Sequence, residues 1–203
     1  MTVLVAFEGD TDLPVVRKLA RDAGLTVVRE IDCGGKHRLD ADLPGYNDAA
    51  QGSPWFVLRD LDHDAECAPE WLRRCGFSAR TWMCLRLAVR ELESWLLADA
   101  VAMASFLQVD SVRIPTDPDG LADPTRTLVD LARQSRRHAI RRQMVPGPGD
   151  HVAVGPLYEA KLIEFGELHW SLSRACGRSP SLRDARAALR RLGHRWRHHV
   201  EGR

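Results

Sequence analysis

The chain has 203 residues, 44% of them hydrophobic and 28% charged, with a formal net charge of +1. That composition supports a real core, argues against a disordered chain, and allows one elaborated domain or two small ones. No apolar run is long enough to cross a bilayer, and Met1 to Phe7 lacks the basic start of a signal peptide, so a cytoplasmic protein with no membrane partner is expected.

The small net charge hides an asymmetry. Residues 1–125 carry 13 Lys and Arg against 21 Asp and Glu, whereas residues 126–203 carry 16 against 7. An acidic front and a basic rear suit an anionic polymer held over a metal centre, or two parts that attract each other. The five cysteines, Cys33, Cys67, Cys75, Cys84 and Cys176, include no Cys-x-x-Cys. They read as reduced, mostly buried thiols rather than a disulfide framework or a zinc knuckle.

Val3 to Phe7 reads as a first strand, and Glu8-Gly9-Asp10-Thr11-Asp12 as the turn into a helix with Leu13, Val16, Leu19, Ala20 and Ala23 on one face. Asp12 falls in the first helical turn, where an acid also complements the helix dipole. Glu8 sits at the strand end, and the dipole does not account for it. Leu25 to Ile31 reads as a second strand, followed by Cys33-Gly34-Gly35-Lys36. That turn is not a P-loop, because the spacing and the Ser or Thr after the lysine are missing. Lys36 is a candidate phosphate contact or an ordinary surface cation. A weak helix over Leu39 to Ala50 is interrupted by Pro44 and Gly45.

The third strand, Trp55 to Leu58, breaks off into Arg59-Asp60-Leu61-Asp62. In open α/β sheets the ligand sits beyond the carboxyl ends of such strands. Asp60 and Asp62 therefore point to a shared cleft, where hard oxygen donors suit Mg²⁺ or Mn²⁺. The competing account is that Asp-x-Asp caps the next helix. Thr81 to Val89 is a fourth strand, or a strand running into a helix, and Arg90 to about Leu107 reads as helix with Glu91 and Glu93 in its first turns. Strands alternating with helices indicate a mostly parallel four-stranded sheet flanked by helices.

Residues 110–125 hold four aspartates and three prolines and read as a connector. The rest is helical: one helix with Leu128, Leu131, Ala132, Ala139 and Ile140 on a face, one over Leu157 to Leu172, and one from Ser179-Pro180-Ser181. The last carries an apolar stripe, Leu182, Ala185, Leu189, Leu192 and Trp196, beside an arginine stripe, Arg183, Arg186, Arg190 and Arg197. The arginines fit phosphate contacts or a solvated face. His194 and His198 are four apart, but no third ligand is evident, so solvated histidines are expected. The division expected is an α/β domain over 1–110, a connector over 111–125 and a basic helical extension over 126–203.

The ordered set Val5-Ala6-Phe7-Glu8-Gly9-Asp10-Thr11-Asp12, then Phe56-Val57-Leu58-Arg59-Asp60-Leu61-Asp62, resembles a Toprim domain, whose pattern is a strand ending in Glu-Gly and a later strand ending in Asp-x-Asp. Asp12, four residues after Glu8, resembles nucleases of the overcoming-lysogenisation-defect (OLD) type. Arg90-Glu91-Leu92-Glu93-Ser94-Trp95 and Lys161-Leu162-Ile163-Glu164-Phe165 are similar to a small bacterial branch of stand-alone Toprim-like proteins. The resemblance implies a Toprim-like, Rossmann-like fold. It also implies a Mg²⁺-dependent nuclease of DNA, less readily of RNA, in bacterial defence or DNA processing. Glu8 would be a metal ligand or general acid/base. Asp60 and Asp62 would bind Mg²⁺, Asp12 would help hold a second ion, and Glu93, or else Glu91, would complete the acidic cluster. Arg90 and Lys161 are candidates for the family's later basic residue, and Arg183, Arg186 and Arg190 for phosphate contacts. OLD-type nucleases usually carry an ATPase domain, and none is legible here, so a separate ATPase partner is expected. The alternatives are a non-catalytic subunit that binds nucleic acid or that ATPase, and a small-molecule phosphohydrolase.

Overall fold

In a computed structural model that describes residues 1–202, four strands pair into one all-parallel sheet in the order β2-β1-β3-β4. They are β1 (Thr2–Phe7), β2 (Thr26–Asp32), β3 (Trp55–Asp60) and β4 (Met83–Ala88). Between them run α1 (Leu13–Asp22), α2 (Lys36–Ala49) and α3 (Ala68–Arg74). Helices α4 (Leu92–Leu97), α5 (Ala100–Leu107), α6 (Pro124–Arg133), α7 (His138–Met144), α8 (Tyr158–Leu168), α9 (Leu172–Ala175) and α10 (Pro180–Glu201) follow. The α/β sheet flanked by helices agrees with the sequence reading and is of the Rossmann-like kind.

The chain divides into two compact units, Met1–Val89 with Ser181–Arg203, and Arg90–Pro180. These boundaries differ from cuts near residues 110 and 125.

The first unit is built on the central strands. Side chains alternate across a strand, so each of β1, β3 and β4 serves two faces. Ala6, Trp55, Val57, Met83, Leu85 and Leu87 share one core with Leu39 and Leu43 of α2 and Trp71 of α3. Val5, Phe7, Phe56 and Leu58 have the opposite parity and are also buried. Strand β2 lies at the edge and is mostly exposed, with Val28 57% accessible. Its apolar run reflects strand preference rather than burial.

Helix α10 joins this unit through α1. A Cβ at Gly193 would lie 2.6 Å from the Ala23 carbonyl oxygen, so only glycine admits that approach. Arg186 and Arg190 each grip Asp22 at the end of α1 with two hydrogen bonds of 2.6 to 2.9 Å. The hydrogen bonds from Arg186 are the main reason that the Asp22 carboxyl is lowered to about 2, against the opposing effect of burial. A lowered carboxyl stabilises the fold above its unfolded value near 3.8 and loses that contribution as pH falls towards 2. D22N is therefore expected to cost roughly 1–2 kcal/mol near neutral pH, less than the full shift implies because Arg190 is half exposed. Denaturant melts should show the wild-type and variant curves converging in acid.

The second unit is helical, and its helices are shorter than the sequence suggests. The expected helix from Arg90 to Leu107 is two helices, broken at Ala98 and Asp99. Asp99 is 1% exposed and accepts from Ala102 N–H, Ser171 N–H and two nitrogens of Arg174. A buried acid with that many donors outweighs the run of helix formers around it. Leu128 to Ile140 is likewise split into α6 and α7, because the Ser135 hydroxyl accepts from Arg137 N–H and turns the chain. Leu157 to Leu172 becomes α8 and the start of α9, and the Trp170 indole between them donates to the Trp95 carbonyl. Among the described residues no helix is long and apolar enough to cross a membrane.

Candidate active site

The carboxyl ends of β1 and β3 lie side by side, because Ala6 pairs with Val57 in parallel register. Glu8 follows β1 directly, and Asp60 ends β3. Glu8 Oε1 accepts from the Asp60 backbone N–H at 2.9 Å across 52 residues of chain. The bond brings the ends of the two segments together through the Glu8 side chain and the Asp60 backbone.

Asp12 is 4% exposed, and its Oδ2 accepts from the N–H groups of Glu8 (2.9 Å) and Gly9 (3.2 Å). It shapes the turn on which Glu8 stands. The Gly34-Gly35 turn after β2 touches the same point, since Gly35 N–H donates to the Glu8 carbonyl at 2.7 Å. Gly34 and Gly35 have φ of 64° and 120°, conformations that L side chains rarely adopt. They deliver Lys36 at the start of α2. Its Nζ donates to Asp62 Oδ2 at 2.6 Å and to Asp64 at 3.3 Å. Asp62 has φ of 48°, a left-handed backbone that an aspartate tolerates better than most residues.

Beneath this lies an arginine that the sequence reading left unassigned. Arg59 is 2% exposed, bonded to Asp40 at 2.7 and 2.8 Å and to Asp64 at 2.7 Å, and its guanidinium sits 4.5 Å from the Trp71 ring centre. The signal was available: an arginine inside an apolar strand needs buried acid partners. Burial works to raise the Asp64 carboxyl, but Arg59 and Lys36 together hold it below its ordinary value.

The carboxylates of Glu8, Asp40, Asp62 and Asp64 thus lie near two cations, Lys36 and Arg59, and Asp60 contributes its backbone N–H. Glu8 responds chiefly to burial and less to the negative charges around it. Its pKa is pushed up to about 6, first by burial and then by Asp62 and Asp40, against the Asp60 N–H and the Arg59 charge.

Comparison with family models, curated proteins and solved structures returns no match.

Hard carboxylate oxygens with surplus negative charge fit a divalent ion in kind. Among the described residues, however, no three His, Cys, Asp or Glu side chains are drawn together tightly enough to form a metal-holding group. Lys36 is the cation that Asp62 holds.

Other expected site residues have other surroundings. Glu93 lies in the second unit. It accepts from the Tyr158 hydroxyl at 3.2 Å, and burial, with the Glu91 charge, raises it to about 7. Glu91 Oε2 accepts from Thr125 N–H and O–H at 2.9 and 2.8 Å. Arg90 opens that unit, and Lys161 pairs with Glu164 at 2.5 Å. Arg183 is exposed on α10. Arg186 and Arg190, expected on phosphate, are bound to Asp22. His194 and His198 face each other with Nε2 atoms 3.2 Å apart.

Proposed function

We propose that this chain is a Toprim-like, metal-dependent nuclease that cuts phosphodiester bonds of DNA in preference to RNA. The observation that carries the reading is the hydrogen bond from Asp60 N–H to Glu8, which gathers a Glu-Gly strand end and an Asp-x-Asp strand end at one point. The position suits the reading as well, since it lies beyond the carboxyl ends of two parallel strands. A haloacid-dehalogenase-like phosphohydrolase would use the Asp-x-Asp without Glu8, so Glu8 in the cluster weighs against it.

Asp60 and Asp62 would hold Mg²⁺ or Mn²⁺ beside Glu8, with Asp62 exchanging Lys36 for the ion. The ion would supply charge neutralisation at the phosphate and a stronger water nucleophile. The chain's own contribution is proton handling and orientation. Glu8, raised towards neutrality, suits a group that accepts a proton at Oε1 or Oε2. Asp12 fixes the Glu8 backbone, and Arg59 and Asp40 brace the strand end from below.

The seating of Lys36 on Asp62 favours a second reading. In it the cluster is neutralised by its own lysine, and the chain is a non-catalytic subunit that binds nucleic acid or an ATPase partner. One experiment separates the two. Under the first reading, purified protein with Mg²⁺ nicks or degrades plasmid DNA, the activity vanishes in EDTA, and D60N lowers it by on the order of 10²-fold or more. Undiminished cleavage by D60N defeats the first reading. Binding of DNA by wild type and D60N alike, with no cleavage by either, favours the second.

A further inference from the structure

Arg186 and Arg190, expected to touch phosphate, are committed to Asp22, but among the described residues three other arginines are not committed to any acid. Arg86 on β4 and Arg191 and Arg195 on α10 line one cavity of about 160 Å³, together with Met83, Cys84, Ala188 and Leu192. Among the described residues none of the three has a carboxylate partner. Asp184, on the same helix two turns before Arg191, pairs with none of them. The Arg86 Nε is buried and has no hydrogen-bond partner. Arg195 is already oriented, donating to the Thr81 carbonyl and lying 5.3 Å from the Trp82 ring centre. Arg86, Arg191 and Arg195 all pull the Cys84 thiol down against the burial that raises it, so their fields converge on one spot.

Three like charges around a small cavity repel one another, and a desolvated guanidinium N–H lacks an acceptor. A tetrahedral oxyanion would relieve both, since guanidinium groups match phosphate oxygens in charge and geometry. The cavity holds the volume of about five waters at ~30 Å³ each, which is room for one phosphate group but not for a nucleoside. Aromatic side chains lie beside it: Trp82 is buried, and Trp196 and His199, which pack on it, are half-buried. Trp82 lies edge-on to Trp196 at 4.9 Å and tilted against His199 at 4.9 Å. Cationic grooves flanked by aromatic rings suit single-stranded nucleic acid.

We infer that Arg86, Arg191 and Arg195 form a binding site for one backbone phosphate of a nucleic-acid strand, separate from the Glu8–Asp60 cluster. The inference rests on the proposed nuclease reading only for the choice of polymer.

The test is fluorescence anisotropy with a fluorescein-labelled oligothymidylate in EDTA, so no cleavage is read and failure of the nuclease reading leaves the result interpretable. Arg191 and Arg195 are exposed, so R191Q/R195Q should fold normally. It is expected to bind about tenfold more weakly, with a log–log salt slope shallower by about 0.7, the share of one phosphate on a single strand. R29Q/R73Q removes the same charge from exposed positions elsewhere and should bind like wild type. Equal weakening by both pairs, or by neither, overturns the inference. Titration with inorganic phosphate separates the source: if phosphate binds these arginines saturably while R191Q/R195Q leaves oligonucleotide affinity unchanged, nucleic acid is not the ligand.

Discussion

E8Q should separate chemistry from folding, lowering DNA cleavage by about 10²- to 10⁴-fold while making the protein more stable near neutral pH. The substitution is nearly isosteric and leaves an oxygen to accept from Asp60 N–H, so the strand-end geometry survives. The charge does not. Because the Glu8 carboxyl is raised in the fold from 4.5 to about 6, folding favours its protonated form. That contribution is complete below the unfolded value and is lost as pH rises through about 6. Wild type and E8Q should therefore melt alike near pH 4.5, and E8Q should lead by about 1–2 kcal/mol above the folded value, discounted for partial solvation. Activity carries the opposite sign. A base must be unprotonated, so wild-type turnover should climb about tenfold per pH unit on the acid side of the Glu8 inflection and level off above it, a bound divalent ion drawing that inflection below the metal-free value. Equal stability of E8Q and wild type across that range would mean that the burial acting on Glu8 is weaker than the structure implies.

The strand ends were legible in the sequence because two patterns meet there: an apolar run of strand length, and an acid where the run stops. Glu8, Asp60 and Asp62 stand out for that reason, and the parallel sheet followed from the alternation of runs. What the sequence hid was pairing. Nothing local tells Lys36 from a surface lysine. It reaches Asp62 only because Gly34 and Gly35 turn the chain and Gly35 hydrogen-bonds to Glu8. The arginine stripe of α10 misled for a related reason. Period alone selected Arg186 and Arg190, which face the end of α1, and passed over Arg191 and Arg195, which face β4 and its Arg86. The break between α4 and α5 escaped because its cause is long-range: the Asp99–Arg174 pair spans 75 residues.

R59M should be among the most damaging single substitutions in the first unit, and it should act on Glu8 without touching it. Methionine keeps much of the volume under Trp71 but removes the cation that Asp40 and Asp64 share. Breaking a buried ion pair from one side typically costs about 3–5 kcal/mol. The low end, about 3 kcal/mol, is expected here, because each acid is 34% exposed and can regain water. D40N should cost only about 1 kcal/mol, since Arg59 keeps Asp64 and can still donate to the amide oxygen. Against a total stability on the order of 5–15 kcal/mol, the arginine variant loses a large share and the asparagine variant a small one. Arg59 also holds the Glu8 carboxyl down. Its loss should move the Glu8 inflection upward from the wild-type position, in both the stability profile and the rate profile, whereas D40N removes a charge that raises Glu8 and should move it lower. Opposite displacements from two partners of one ion pair cannot come from general loosening of the fold, which would shift both variants the same way.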